Sequence, residues 1–190
     1  IWPQGLMKPN DTPKCPKTLD WDLWIGPAQK RPYNPVYTPW NWRGWWDFGT
    51  GALGDMACHI MDPLYWALDL KYPTSVIGSS TLSNLYSPPH AQIVTYTLPA
   101  RPPKGNVKMP EVKVYWYDGG LMPPRPEELK DGQMMGDENG GIIFIGTKGK
   151  IMTGCYGMNP TLLPVSDMEH FNQPNPTIPR VKGGNGDIWC

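Results

Sequence analysis

Two kinds of chemistry overlap in the segment DFGTGALGDMACHIMD, residues 47–62. Asp55, His59 and Asp62 stand at i, i+4 and i+7, the spacing of one helical stripe. Residues four apart on a helix lie about 5–6 Å from each other at Cβ, so Asp55 and His59 can face one small substrate together. The helix dipole favours a carboxylate near the N-terminus, and a histidine one turn further on can take or give a proton near neutral pH. That is the equipment for acid–base work on a hydroxyl. The same spacing also serves a structural role, with Asp55 capping the helix and His59 a buried, hydrogen-bonded imidazole. Asp62 reads more simply as a cap for the segment that follows.

Gly49, Gly51 and Gly54 satisfy G-x-G-x-x-G in the same segment, the loop that cradles dinucleotide phosphates. Such a loop needs a buried parallel strand just before it and alternating strands and helices around it. The preceding residues, PWNWRGWWDF (39–48), are bulky, carry an Arg and an Asp, and include no Val or Ile. The glycines are therefore expected to permit close approach at the helix start or positive φ. The chain by itself is not expected to hold a nicotinamide cofactor.

The element that positions Asp55 and His59 is a helix over 50–70. Thr50 is its expected N-cap, and Leu53, Ala57, Ile60, Met61, Leu64 and Leu68 recur near the 3.6 period. Pro63 removes one helical hydrogen bond and predicts a kink one turn after His59. Before the helix, LDWDLWIGPA (19–28) predicts a short helical turn with Asp20 as N-cap. RPYNPVYTPWNWRGWW (31–46) predicts extended chain, because residues before proline are biased away from the helical region. After Pro73 the β-branched and aromatic runs at 74–86, 91–99 and 111–119 predict strands. GIIFIGTKGKIMTGCYG (141–157) predicts a hairpin turning at 147–149, and PEELK (126–130) a short helix. From Met158 the proline-rich sequence predicts loop. The sum is an α+β fold: an open, mostly antiparallel sheet with one main helix packed on a face, and long Pro/Trp-rich loops.

The 190 residues fit one domain, with Lys plus Arg equal to Asp plus Glu at 17 each, so no global field favours nucleic acid or a membrane surface. The 24 prolines and 21 glycines suggest irregular chain, yet the 10 tryptophans are what disordered chains lack. Together they imply ordered, proline-pinned loops rich in rings, and such loops usually carry function. Cys15, Cys58, Cys155 and Cys190 contain no C-x-x-C, which argues against zinc and leaves disulfides open. A metal site built on Asp55, His59 and a distant histidine lacks a second close ligand pair, so no metal is expected. His90 and His170 fall in loops.

NWRGWWDFGTGALGDMACHIMDP (41–63), with IWPQGL, LDWDLWIGPA, RPYNP and TIPR elsewhere, resembles a Trp-rich bacterial branch of the glucose–fructose oxidoreductase / inositol dehydrogenase / MocA (Gfo/Idh/MocA) family, over nearly the whole chain. The resemblance is to the family's C-terminal α/β domain. It implies a single such domain over 1–190, expected to be a fragment whose N-terminal dinucleotide-binding (Rossmann) domain and last C-terminal elements lie elsewhere. It implies that His59 is the acid/base on a sugar or polyol hydroxyl and that Asp55 orients the substrate or His59. The family's Glu-Lys-Pro segment, whose lysine joins the chemistry, has no counterpart here.

Sugars present flat C–H faces that bury well against Trp and Tyr rings, while Asp, Asn and Arg hold hydroxyls. Trp42, Arg43, Trp45, Trp46 and Asp47 directly precede the helix and are the candidate substrate rim, with Tyr33 and Asn34 further candidates; about half of these rings are expected to pack as core. The functional expectation is the substrate-binding and catalytic domain of an NAD(P)-dependent oxidoreductase, its NAD or NADP held mainly by the other domain. Two alternatives stand beside it: a non-catalytic carbohydrate-binding module, and an NAD-dependent glycosidase of the same family. The open sheet and the resemblance together imply a homodimer or homotetramer through that sheet, while the balanced charge leaves no nucleic-acid or membrane partner expected. The sequence leaves a periplasmic or cytoplasmic compartment open.

Overall fold

The computed structural model describes residues 2–179 and 182–189; the expected readings at Arg180 (in TIPR) and Cys190 lie outside them. The first element is α1, Trp21–Ile25, capped as expected by Asp20, whose carboxylate accepts from the Leu23 N–H at 3.1 Å. The stretch predicted as extended instead folds into two 3-10 turns, Pro35–Tyr37 and Asn41–Gly44. Asn34 explains the first. Its side chain accepts from Val36 N at 2.9 Å, and Pro35 at the first position already has the φ a helical turn needs.

Helix α2 spans Gly51–Ala67 and continues through Pro63. Thr50 occupies the N-cap position, but its hydroxyl caps nothing. The buried stripe is Ala52, Met56, Ile60 and Leu64, one residue every four, while Leu53, Ala57, Met61 and Leu68 are half-buried at its margins.

Strands follow in chain order: β1 Ser75–Ser80, β2 Gln92–Leu98, β3 Arg101–Lys104, β4 Val107–Met109, β5 Val112–Tyr117, β6 Gly141–Ile145, β7 Lys150–Gly154 and β8 Thr161–Leu163. They form three antiparallel sheets in the orders β1-β2-β5, β3-β4 and β6-β7-β8. The α+β expectation holds, although the strands divide among three sheets. Beyond the expected strands lies the β3-β4 hairpin. Its prolines, Pro102 and Pro103, sit at a register shift between the paired positions Arg101–Met109 and Lys104–Val107, where no ladder donor is needed. The predicted helix at 126–130 is a single turn closed by Leu129 N to Pro126 O at 3.1 Å; the next donor, Lys130 N–H, turns to the Gln133 side chain instead. The segment after Met158 is not all loop, since it contains β8, a 3-10 turn at Val165–His170 and α3, Asn185–Trp189.

The α2 stripe covers one face of the first sheet. Met56 and Ile60 pack with Val94, Trp116 and Cys155, and Leu64 packs with Leu70 and Leu98. Val94 and Trp116 are direct cross-strand partners, so one ridge of the helix rests on one rung of the sheet. Arg101 is buried and ties the C-terminal end of α2 to the hairpin, donating to the Leu68, Pro99 and Pro110 carbonyls at 2.8–3.0 Å. The cation also suits the negative end of the helix dipole. No described helix is long and apolar enough to cross a membrane.

Candidate functional site

The N-terminal half of α2 and the loops around it hold the site. Asp55 is one-quarter exposed and is gripped through a single oxygen. Arg43 Nε lies 3.2 Å from Oδ2, and the Gln4 amide donates to the same atom at 3.3 Å. Among the described residues Oδ1 receives no hydrogen bond, so it remains available as an acceptor. The Arg43 guanidinium is itself sandwiched by rings, 4.1 Å from the Trp40 centroid and 4.5 Å from that of Trp42, and donates to the Trp40 carbonyl at 3.2 Å. A planar, delocalised cation suits such a stack.

Gln4 reaches Asp55 because its segment is laced to the loops. Ser87 is fully buried, and its hydroxyl accepts from Leu6 N at 2.8 Å and donates to the Gly44 carbonyl at 2.6 Å. At Gly44 a side chain would meet the Gln4 carbonyl. Gln4 Oε1 and Trp2 Nε1 are buried without a partner among the described residues.

The three glycines of the motif have structural causes. A Cβ at Gly49 would lie 2.5 Å from the Arg43 carbonyl oxygen, one at Gly51 would lie 2.6 Å from the Pro88 ring, and one at Gly54 would strike the Thr50 side chain. Gly51 also has φ +71°, a left-handed conformation that favours glycine. The space beside each glycine is filled by the chain's own atoms. Close packing within the chain accounts for all three glycines.

His59 is exposed rather than buried, so the alternative of a core imidazole is overturned. Its ring meets the edge of Tyr156, centroids 5.3 Å apart at 77°, and Tyr156 sits at φ +60° in the turn after β7. The His59 carbonyl is the one that Pro63, four residues on, leaves without a helical donor. Asp55 and His59 stand one helical turn apart, with Asp55 engaged by Arg43 and Gln4 rather than by His59. Asp62 is exposed and lines a different cleft of about 480 Å³ with Met61, Tyr65 and Tyr96.

The expected rim divides sharply. Trp42 is half-buried beneath Arg43. Trp46 is 48% exposed, with its backbone N–H bonded to the Tyr86 carbonyl at 2.9 Å. Asp47 is exposed and ion-paired with Arg31. Trp45 is a correction: it is 1% exposed, its indole N–H donates to the Val36 carbonyl at 3.1 Å, and its ring abuts Tyr37. Consecutive residues on this turn point opposite ways, and Trp45 points in. Asn34 is a second correction. It is buried as the cap of the first 3-10 turn, and its amide donates to Asp11. Tyr33 is half-buried, edge-on to Trp21 at 5.4 Å. Gln4, Trp40 and Tyr156 join the site without a sequence signal, since each arrives from another turn or segment.

His90 and His170 are exposed, and among the described residues no cluster of three His, Cys, Asp or Glu could hold a metal ion. Cys15, Cys58 and Cys155 are free thiols.

Residues 4–80 match the family model described as the oxidoreductase family, C-terminal alpha/beta domain, that of Gfo/Idh/MocA. The stretch runs from Gln4 through α1, Arg43 and α2 to the end of β1, so it contains Asp55 and His59. Of the likeness expected over nearly the whole chain, the family model matches these residues. Comparison with curated proteins finds no match.

Proposed function

We propose that residues 1–190 form one substrate-binding and catalytic domain of an NAD(P)-dependent oxidoreductase that acts on a sugar or polyol hydroxyl. The observation that carries this reading is the asymmetry of Asp55: Oδ2 is held by Arg43 and Gln4, Oδ1 is open, and an exposed imidazole stands one turn along the same helix. Asp55 would accept a hydrogen bond from one substrate hydroxyl through Oδ1 and so fix the ring. His59 would take the proton of the reacting hydroxyl, or return it in the reverse direction. Its contact with the Tyr156 edge restricts the ring's orientation. Arg43, Trp42, Trp46 and Asp47 would complete the substrate rim, with Tyr33 a further member.

NAD or NADP would supply the hydride acceptor from a dinucleotide-binding domain outside these residues. The filled spaces at Gly49, Gly51 and Gly54 support that division of labour.

The solvent-facing side of the first sheet carries Ile77 and Tyr115, both more than half exposed, flanking Thr95 on one rung. An apolar band of this kind supports pairing with a second copy, as a homodimer or homotetramer.

The test is His59→Gln in the complete oxidoreductase, assayed for sugar-dependent NAD(P) reduction. Turnover is expected to fall by roughly 10²–10⁴ while the melting temperature holds, because the ring is exposed. Full activity in that variant overturns the assignment.

A further inference from the structure

We infer that the cleft between α1 and the Asn41–Gly44 turn is a second sugar subsite, so that the substrate carries at least two rings, as a disaccharide or glycoside does. The inference rests on the reading of Asp55 and His59 as the reacting-sugar site. The cleft is open to solvent, has a volume of about 360 Å³ and is lined by Trp24, Trp42 and Phe48, with Asp47 also among its lining residues. Its volume lies at the small end of ligand pockets, about 300–1,000 Å³. Neither Asp55 nor His59 lines it.

Charge narrows the ligand. Asp47 is ion-paired with Arg31, and Arg31 is the more covered partner, its guanidinium lying 5.5 Å from the Phe48 centroid and 5.6 Å from that of Tyr37. A phosphate or carboxylate ligand would find the covered Arg31 already paired with Asp47. A cation would find that acid already neutralised. A purely apolar ligand would strip water from the carboxylate and replace nothing. A neutral polyhydroxylated ring satisfies both halves of the lining, with its C–H face on an indole and a hydroxyl donating to Asp47, which only accepts when ionised.

The walls are held before any ligand arrives. Trp24 stacks on Trp21 at 4.8 Å and 11°, and meets Phe48 edge-on at 4.9 Å. Trp21 is fixed in turn by its indole N–H, which donates to the Arg31 carbonyl at 2.7 Å. Rigid walls lower the ordering cost of binding.

Trp42 joins the cleft to the reacting site. Its ring lines the cleft and also lies 4.5 Å from the Arg43 guanidinium, whose Nε contacts Asp55 at 3.2 Å. Trp42 and the Arg43 side chain thus lie between the cleft and Asp55, and a substrate reaching both places must pass over them.

The full chain is titrated with cellobiose, maltose and lactose, and separately with glucose and galactose, followed by tryptophan fluorescence and saturation-transfer NMR. At least one disaccharide is expected to bind ten-fold or more tightly than its own monosaccharides. Ala28→Trp fills the cleft from its lining and is expected to abolish that advantage with the melting temperature unchanged; Trp24→Leu, which removes a lining ring and its stack on Trp21, is expected to abolish it too, with a lower melting temperature. Equal binding of mono- and disaccharides, or an advantage that survives Ala28→Trp, overturns the subsite and leaves a single-sugar reading standing. Absence of binding by every sugar overturns both.

Discussion

Arg43→Met removes one guanidinium and keeps most of the stem, so its cost is that of the interactions the guanidinium makes, less their overlap. The ion pair with Asp55 is about three-quarters covered on both sides and contributes roughly 0.5–1 kcal/mol, towards the upper end for a partly screened pair. The two ring interactions, at 4.1 and 4.5 Å, contribute about 0.5–1 kcal/mol each. The bond to the Trp40 carbonyl adds about 1 kcal/mol. One group makes all four, so they overlap, and a destabilisation of roughly 2–3 kcal/mol is expected. For a domain of this size that corresponds to a fall in melting temperature of about 4–12 °C. Arg43→Lys keeps the charge but neither the planar stack nor the Nε geometry, and should recover less than half of that difference. Urea unfolding followed by tryptophan fluorescence measures both variants. An Arg43→Met protein within about 0.5 kcal/mol of the parent, the range of an ordinary surface change, would refute the claim that this residue ties its loop to Asp55 on α2.

Gly51→Ala places a Cβ against Pro88 at φ +71° and should cost about 2–3 kcal/mol; an unchanged unfolding midpoint would show that the glycine is not there for shape. Tyr115→Glu, on the exposed sheet face, should dissociate a self-associated protein in light scattering, and a parent that is monomeric at high micromolar concentration ends the proposal of pairing through this sheet. Burial raises the Cys155 thiol above its ordinary range, helped by the nearby Asp137 charge, and burial raises Tyr96, helped by Tyr65. Both are acids that the unfolded chain ionises first, so their stabilisation is complete below about pH 8.5 and is lost as pH rises through the folded values. Urea midpoints should therefore decline through the alkaline range, and a flat profile contradicts this.

Helix α2 and its covering strands were legible because burial imposes a period: Met56, Ile60 and Leu64 recur at four, and Val94 and Trp116 stand opposite each other on the inward face. The hairpin β6-β7 was legible through its Gly-Thr-Lys-Gly turn. Proline misled in both directions. Pro102 and Pro103 fall between the strands expected at 91–99 and 111–119, yet a two-stranded hairpin tolerates them where its register slips. The prolines of 31–46 read as extended chain, but Pro35 follows a capping asparagine, and together they start a 3-10 turn. Period and propensity describe neighbours along the chain; these exceptions depend on which donors the fold happens to need.

The site divides along the same line. The spacing of Asp55 and His59 is local and places them one turn apart, whereas Gln4 lies 51 residues from Asp55 and touches it only because Ser87 and Gly44 hold its segment in place. Nor could composition separate Trp45 from Trp46, since both are tryptophans in one aromatic run; the turn directs one inward and leaves the other facing solvent. The glycines show the converse case. Three residues that match a phosphate loop by spacing are each explained by an atom already occupying the space beside them, the Arg43 backbone, the Pro88 ring and the Thr50 side chain. Those close approaches press the loop carrying Arg43 against the start of α2. This close packing delivers Arg43 to one oxygen of Asp55 while leaving the other oxygen, and the exposed His59 ring, available.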